Sequence, residues 1–136
     1  MDEYIPSPTG WVAEHVELYE GSGGTHGTTL NGLPTIVVTN RGHRTGAIRK
    51  TPLMRVVDGD RYILVASMGG APKHPLWYYN LKANPEIEIR DEQNVHRMKA
   101  REVIDPSERQ RVWGIAVKAF PPYQDYQYRT DRTIPI

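Results

Sequence analysis

Asp58-Gly59, set between Val56-Val57 and the apolar run Tyr62-Ile-Leu-Val-Ala66, narrows the fold more than any other feature of the chain. An Asp-Gly pair supplies the backbone conformation that a two-residue turn demands, so the runs on either side read as paired strands. Other short runs repeat the pattern. Leu33–Asn40 is β-branched and reads as a buried strand, Arg41–Gly46 as a turn, and Ile48–Asp58 as the next strand, with Pro52 placing it at an edge or bulge. Glu86–Arg90 and Val95–Ile104 alternate apolar and polar residues around a polar loop and read as a further pair. Five or so strands joined by connections this short run antiparallel. They suit a small closed barrel better than a parallel sheet.

Helices fall before, between and after these strands. Residues 9–20 read as a helix capped by Thr9, with Trp11, Val12, His15, Val16 and Tyr19 on one face and Glu14, Glu17 and Glu20 opposite. Gly21-Ser-Gly-Gly24 reads as a flexible connector, which sets an N-terminal helix and linker over 1–31 apart from a main domain over 32–136. A second helix starts at Pro75 and stops at Asn84-Pro85, with Trp77, Asn80, Leu81 and Asn84 on its stripe. Asp105-Pro-Ser-Glu108 is a capping arrangement. The helix it opens places Val112, Trp113, Ala116, Val117 and Phe120 inward, and Pro121-Pro122 ends it and swings the following tyrosines back. At 136 residues the chain makes one domain overall, with Ser67–Lys73 as a Gly/Pro loop.

Several chemistries are excluded. The chain has no cysteine, which removes disulfides, thiolate nucleophiles and iron–sulfur clusters together. Its five histidines lie far apart without a ligand spacing, so no metal site is expected. A serine-hydrolase elbow and a phosphate-binding P-loop are both missing. With no apolar run near the length of a membrane span and no basic leader, a cytoplasmic protein is expected. A net charge of +1 argues against nucleic acid as a partner.

Charge is nonetheless unevenly placed. No acidic residue occurs between Glu20 and Asp58, a stretch that carries Arg41, Arg44, Arg49, Lys50 and Arg55 with His26 and His43. A solvated basic face would account for this; an anion site accounts for it better, because Gly42 and Gly46 let backbone N–H groups approach a ligand. Aromatic residues are mostly tyrosine, eight of twelve, which suits a half-wet surface for a flat ring. Both skews fit an organic cofactor with a ring and an anionic tail.

Gly42-His-Arg-Thr-Gly46, Ala66-Ser-Met-Gly-Gly70, Pro75-Leu-Trp-Tyr-Tyr-Asn-Leu-Lys-Ala-Asn-Pro85, and Tyr123-Gln-Asp-Tyr126 followed by Thr130-Asp-Arg-Thr-Ile-Pro135 stand in order. Together they resemble the deazaflavin-dependent nitroreductase family of actinobacteria, which uses coenzyme F420. The resemblance runs from Leu33 to the end. It implies an antiparallel split β-barrel with flanking helices, like that of FMN-binding proteins, in the α+β class. It also implies an enzyme that passes a hydride from the reduced deazaflavin to a nitroaromatic, enone or quinone. FMN is the less expected cofactor.

The resemblance also implies site residues. His43, Arg44 and Thr45, with Arg49, Lys50 and Thr51, match the segment that grips the coenzyme's phosphate and oligoglutamate tail, and Pro52, Leu53 and Met54 continue it. Val65, Ala66, Ser67 and Met68 match the backbone edge along the deazaflavin. Leu76, Trp77, Tyr78, Tyr79 and Asn80 match the helix start beside it. Tyr123 and Tyr126 match aromatics lining the coenzyme and acceptor pocket, and Tyr123, Tyr126 and Ser67 are the candidates for catalysis. Met68 stands where the nitroreductase pattern has lysine, and Met54 and Phe120 where it has tyrosine. The alternative reading is a protein that binds or carries the deazaflavin without turnover. The expected partner is a small-molecule acceptor, the assembly a monomer or homodimer. Membrane contact through the N-terminal helix is disfavoured by its acidic face.

Overall fold

A computed structural model describes residues 3–7, 9–30, 32–130 and 132–136. Its backbone divides into two compact units: Met1–Arg55 with Tyr79–Arg101, and Val56–Tyr78 with Glu102–Ile136. The architecture is an antiparallel sheet with flanking helices.

The first unit holds α1 (Gly10–Gly21) and five strands: β1 (Thr29–Leu30), β2 (Leu33–Arg41), β3 (Ile48–Met54), β6 (Glu86–Asp91) and β7 (Asn94–Lys99). Every pairing between these strands is antiparallel, and an isolated parallel bridge joins Tyr4 to Ile48. Strand β2 is the spine. It pairs β3 along Thr35–Arg41, β1 at its first two residues and β6 at Val37–Thr39. Its run of β-branched residues is what a strand flanked on both edges requires: Ile36, Val37 and Val38 are fully buried. Among the described residues no ladder closes this sheet into a barrel.

Helix α1 buries Val16 and Tyr19 against Val37. Tyr19, wholly buried, fills a gap in the ladders of β2: its hydroxyl donates to the Thr35 carbonyl at 2.9 Å and accepts from the Glu92 N–H at 2.7 Å. Those bonds lie where β1 has ended and β6 has not begun, so the phenol satisfies backbone groups that neither strand reaches. Trp11 departs from the expected inward face and is 57% exposed. Thr9 likewise makes no side-chain cap bond.

The Gly21–Gly24 connector is packed. The Gly24 N–H donates to the Tyr19 carbonyl at 2.9 Å, and the buried Gly24 abuts the Glu92 carbonyl at φ +85°. Any side chain there would strike the β6–β7 turn, so this glycine is required by a close approach as well as by its backbone angle.

The second unit contains the β4–β5 ribbon (Val57–Asp58 and Arg61–Tyr62), α3 (Pro106–Ala119) and α4 (Pro122–Arg129). A hairpin forms here, but its two turn residues are Gly59-Asp60, with Gly59 at φ +63°; Asp58 pairs with Arg61 in the ladder, and each strand is two residues long. The expected single strand Ile48–Asp58 is interrupted after Met54, and Val95–Ile104 ends at Lys99. The Asp105 side chain caps α3 by accepting from the Glu108 N–H at 2.9 Å. Of the expected inward face of α3 only Val112 and Ala116 are fully buried; Trp113, Val117 and Phe120 are half-buried. Pro121-Pro122 ends α3 and, with Pro122 at the first position, starts α4, where sequence gave only a sharp exit. The C-terminal stretch is clamped on two sides: the Ala66 N–H donates to Pro135 and the Val103 N–H to Ile136, burying Ile134 to Ile136.

Helix α2 (Leu76–Ala83) gives its first three residues to the second unit and the rest to the first.

Candidate functional site

In the first unit the candidate site is the β2–β3 hairpin tip. Its loop closes on itself through Gly42 N–H to Ala47 carbonyl at 2.7 Å and Gly46 N–H to Gly42 carbonyl at 2.9 Å, with Gly46 at φ +72°. Asn80 then brackets it from α2. Asn80 Oδ1 accepts from the His43 N–H at 2.9 Å and His43 Nδ1 at 2.7 Å, while Nδ2 donates to Asn40 Oδ1 at 2.9 Å. The backbone donor fixes the amide's orientation, so His43 Nδ1 is the donor to Asn80 Oδ1 and carries a proton. Tyr79 tilts toward the His43 ring at 5.9 Å.

The N–H groups of Arg44 and Thr45 make no hydrogen bond among the described residues, and the exposed Arg44 has no carboxylate partner among them. Some other cations of this unit hold carboxylates: Arg55 pairs with Asp91 at 2.8 Å and Arg90 with Glu20 at 3.5 Å. Lys50 is bound to the Glu20 carboxylate and lies 5.3 Å from the Tyr4 ring.

Strand alternation divides the expected basic cluster. The register sets Asn40 opposite Arg49, Val38 opposite Thr51 and Ile36 opposite Leu53 on one face. Thr39 with Lys50, Val37 with Pro52 and Thr35 with Met54 occupy the other, which α1 covers. Arg49, Thr51 and Leu53 therefore share a face with Asn40, whereas Lys50, Pro52 and Met54 point toward α1.

In the second unit Val65, Ala66 and Ser67 are buried, and Met68 is 58% exposed at φ +47°. The Ser67 hydroxyl makes no cap bond and has no partner among the described residues. Leu76 is exposed and Trp77 half-buried, and the Tyr78 hydroxyl donates to Glu102 at 2.9 Å. Phe120, Tyr123 and Tyr126 form an aromatic triad with centroids 4.9 to 6.3 Å apart. Burial, with a smaller push from Tyr126, raises the Tyr123 phenol far above its ordinary pKa of 10, so Tyr123 keeps its proton. Tyr126 is half-buried, with the Arg129 guanidinium 5.4 Å from its ring centre.

Asn80 and Arg132 each brace one of these pieces, and of the two only Arg132 is without an expected role. Asn80, expected to flank the coenzyme, braces the hairpin tip. Arg132 donates hydrogen bonds to the Ala66, Ser67 and Ala71 carbonyls. No periodicity signals either contact; the Thr130–Pro135 string marks only the neighbourhood of Arg132, and Asp131 lies outside the described residues.

A hairpin with free N–H groups and a free guanidinium suits an anion. A buried loop edge beside a tyrosine-rich helix suits a flat ring. Those features fit a small α+β protein that binds an organic coenzyme. The F420H(2)-dependent quinone reductase family model matches residues 11–136, and the chain belongs to that family. It is an oxidoreductase, and its coenzyme is F420. An F420H(2)-dependent quinone reductase of Mycobacterium tuberculosis H37Rv is 38% identical over 126 residues, covering 90% of this chain and 84% of that protein. A solved structure described as a domain-swapped dimer is 45% identical with a TM-score of 0.72, covering 95% of this chain and 96% of the other. An F420-H2 dependent reductase, FDR-A, is 47% identical with a TM-score of 0.70, over 75% of this chain and 90% of its own. No helix among the described residues is long and apolar enough to cross a membrane.

Proposed function

We propose that this protein reduces a quinone at the expense of reduced F420, and that nitroaromatics and enones are accepted at the same site. One observation carries the coenzyme assignment. Arg44 sits free at a glycine-bounded tip with two unused N–H groups, while Lys50, Arg55, Arg90 and Arg111 each hold a carboxylate. A cation left unpaired beside backbone donors is matched to an anion from outside the chain.

Bound reduced deazaflavin supplies a hydride, two electrons and a proton moving together. The chain's own part is to bind, orient and manage the second proton. Arg44 and the Arg44 and Thr45 N–H groups would hold the anionic tail, with the exposed His43 beside them in the chain. Arg49, Thr51 and Leu53 extend that surface along the Asn40 face of the sheet. By the family resemblance, Val65–Met68 would hold the ring along their backbone, with the Ser67 hydroxyl available to it. Leu76 to Asn80 are the other residues that would hold the ring. Tyr126 donates a hydrogen bond, or its proton, to the acceptor oxygen as negative charge develops on it. Tyr123, held protonated and buried, packs beneath it. The roles of Lys50, Pro52 and Met54 in this reading are indirect, through the α1 face of the sheet.

A homodimer is proposed from the domain-swapped neighbour, and sedimentation at micromolar concentration tests it. The cytoplasmic assignment is tested by fractionation of the natural host.

The deciding experiment mixes protein, reduced F420 and menadione without oxygen and follows the visible band of the oxidised coenzyme. Oxidation that saturates in both substrates supports the proposal. Tight coenzyme binding with no oxidation by any quinone, enone or nitroaromatic would leave the carrier reading in its place.

A further inference from the structure

The Thr130–Pro135 string stands out in the sequence and has no part in holding the coenzyme or the acceptor. Arg132 is its centre, and its guanidinium holds three backbone carbonyls and a histidine of the second unit. Nε donates to the Ala71 carbonyl at 2.8 Å, Nη2 to Ser67 at 2.7 Å, and Nη1 to Ala66 at 3.2 Å and His74 Nδ1 at 2.8 Å. A guanidinium only donates, so His74 Nδ1 is the acceptor and the imidazole proton sits on Nε2. Three carbonyls of a six-residue loop thus converge on one rigid planar cation. Within the loop itself the Gly70 N–H donates to Ser67 and the Ala71 N–H to Met68, at 2.9 and 3.1 Å.

Arg132 is itself fixed to α4. Gln127 Nε2 donates to the Arg132 carbonyl at 2.8 Å, and Gln127 Oε1 accepts from the Ile134 N–H at 3.0 Å. The loop also rests directly on α4 at Gly70, where a Cβ would come within 2.7 Å of the Tyr126 carbonyl. Loop edge, guanidinium and tyrosine-bearing helix therefore form one bonded frame.

We propose that Arg132 is a positioning residue. It sets the Ala66–Ala71 backbone against Tyr126, so that a flat coenzyme lying along that edge meets an acceptor oriented by the tyrosine. The proposal rests on the coenzyme-edge reading of Val65–Met68. Lysine cannot replace it, because a single ammonium point cannot span carbonyls at positions 66, 67 and 71 with the geometry of a planar fork. Displacing reacting groups by about 1 Å is enough to cost roughly a hundredfold in rate.

The test uses the full chain with Arg132→Lys, Arg132→Ala and, as a milder variant that leaves the guanidinium in place, Gln127→Leu. In the protein without coenzyme, amide exchange at Gly70 and Ala71 is expected to quicken at least about tenfold in the Arg132 variants and less in Gln127→Leu, while α3 amides keep their protection. With F420 and menadione, kcat is expected to fall roughly ten- to a hundredfold with the quinone KM within a few-fold. Methylguanidinium, and not methylammonium, is expected to restore part of the kcat of Arg132→Ala. Unchanged exchange at Gly70 and Ala71, or activity lost only in proportion to unfolded protein with no rescue, would overturn the proposal. Failure of the wild-type chain to bind F420, with exchange at Gly70 and Ala71 still quickened by the variants, would instead overturn the coenzyme reading and leave Arg132 as the loop's clamp.

Discussion

Asn80 Oδ1 accepts both the His43 backbone N–H, at 2.9 Å, and His43 Nδ1, at 2.7 Å, so one amide oxygen holds the hairpin tip and sets the tautomer of its histidine. The other end of the amide satisfies Asn40, which is 2% exposed. Asn80→Ala would leave Asn40 Oδ1 without this buried donor and free the tip. We expect a loss of about 1–3 kcal/mol in urea unfolding, with coenzyme affinity falling alongside. Unchanged stability would mean that the tip is held by its own turn bonds alone.

Arg44 and Lys50 are both basic residues of one hairpin, and they are expected to respond differently. Arg44→Ala removes a free cation, so F420 affinity should drop about ten- to a hundredfold and the salt dependence of binding should flatten. Lys50→Ala removes one of the two basic partners of Glu20, the other being Arg90, where the Lys50 and Glu20 side chains are about four-fifths buried. Its main effect should be on stability, about 1–3 kcal/mol, with coenzyme affinity changed by less than in Arg44→Ala. A titration in which Lys50→Ala weakens binding as much as Arg44→Ala would return Lys50 to the coenzyme site.

That contrast shows how far the chain could be read unaided. Hairpins, the Asp105 cap and the α2 boundaries follow from local rules, because turn glycines and prolines act within a few residues. The division of Arg49 from Lys50 was also legible: adjacent residues in a strand must face opposite ways. Clustering by charge hides it. The rest depended on partners distant in sequence. Gly24 reads as a linker until the Glu92 turn is placed against it. Tyr19 reads as one of several apolar positions until the break between β1 and β6 leaves backbone groups for its hydroxyl. Helix α4 escaped because Pro121-Pro122 signals a stop and a start with equal force. The polar Gln-Asp-Tyr-Gln-Tyr sequence that follows has little apolar period to distinguish the two.

Gly24→Ala tests the packed connector. The residue sits at φ +85° with the Glu92 carbonyl where a Cβ would stand, so the added methyl meets both backbone strain and a main-chain atom that cannot rotate away. Strain and overpacking each cost about 1–3 kcal/mol, and the expected loss in chemical denaturation is about 2–5 kcal/mol. Gly23→Ala, at φ +67° with open space around it, should lose only the strain part. Equal losses in the two variants would show that Glu92 yields to the methyl.

Tyr126 and Tyr123 separate chemistry from packing. Tyr126→Phe removes only the hydroxyl of a half-buried ring, so turnover should fall while F420 affinity stays within a few-fold. Loss of a preorganised donor to developing charge is worth about 2.7–4 kcal/mol, or roughly a hundred- to a thousandfold in kcat. Turnover untouched with every acceptor would reduce Tyr126 to packing.

Tyr123 makes its mark in alkali. Burial first, and Tyr126 second, raise its phenol pKa above the 10 of an exposed tyrosine, so above that pH the folded chain holds a proton that the unfolded chain has released. The native state then binds more protons than the denatured one, and stability must fall as pH rises. Its contribution is fully present below pH 10 and is lost progressively above it. Tyr19, raised by its own burial, acts in the same direction. Unfolding free energy should therefore be insensitive to Tyr123 between pH 6 and 9, roughly, and decline above 10, more steeply in the wild-type chain than in Tyr123→Phe. Denaturant midpoints taken at intervals across that range measure the difference directly. Parallel alkaline slopes in the two proteins would show that the Tyr123 hydroxyl reaches solvent, and would reopen it as a proton donor in the reaction.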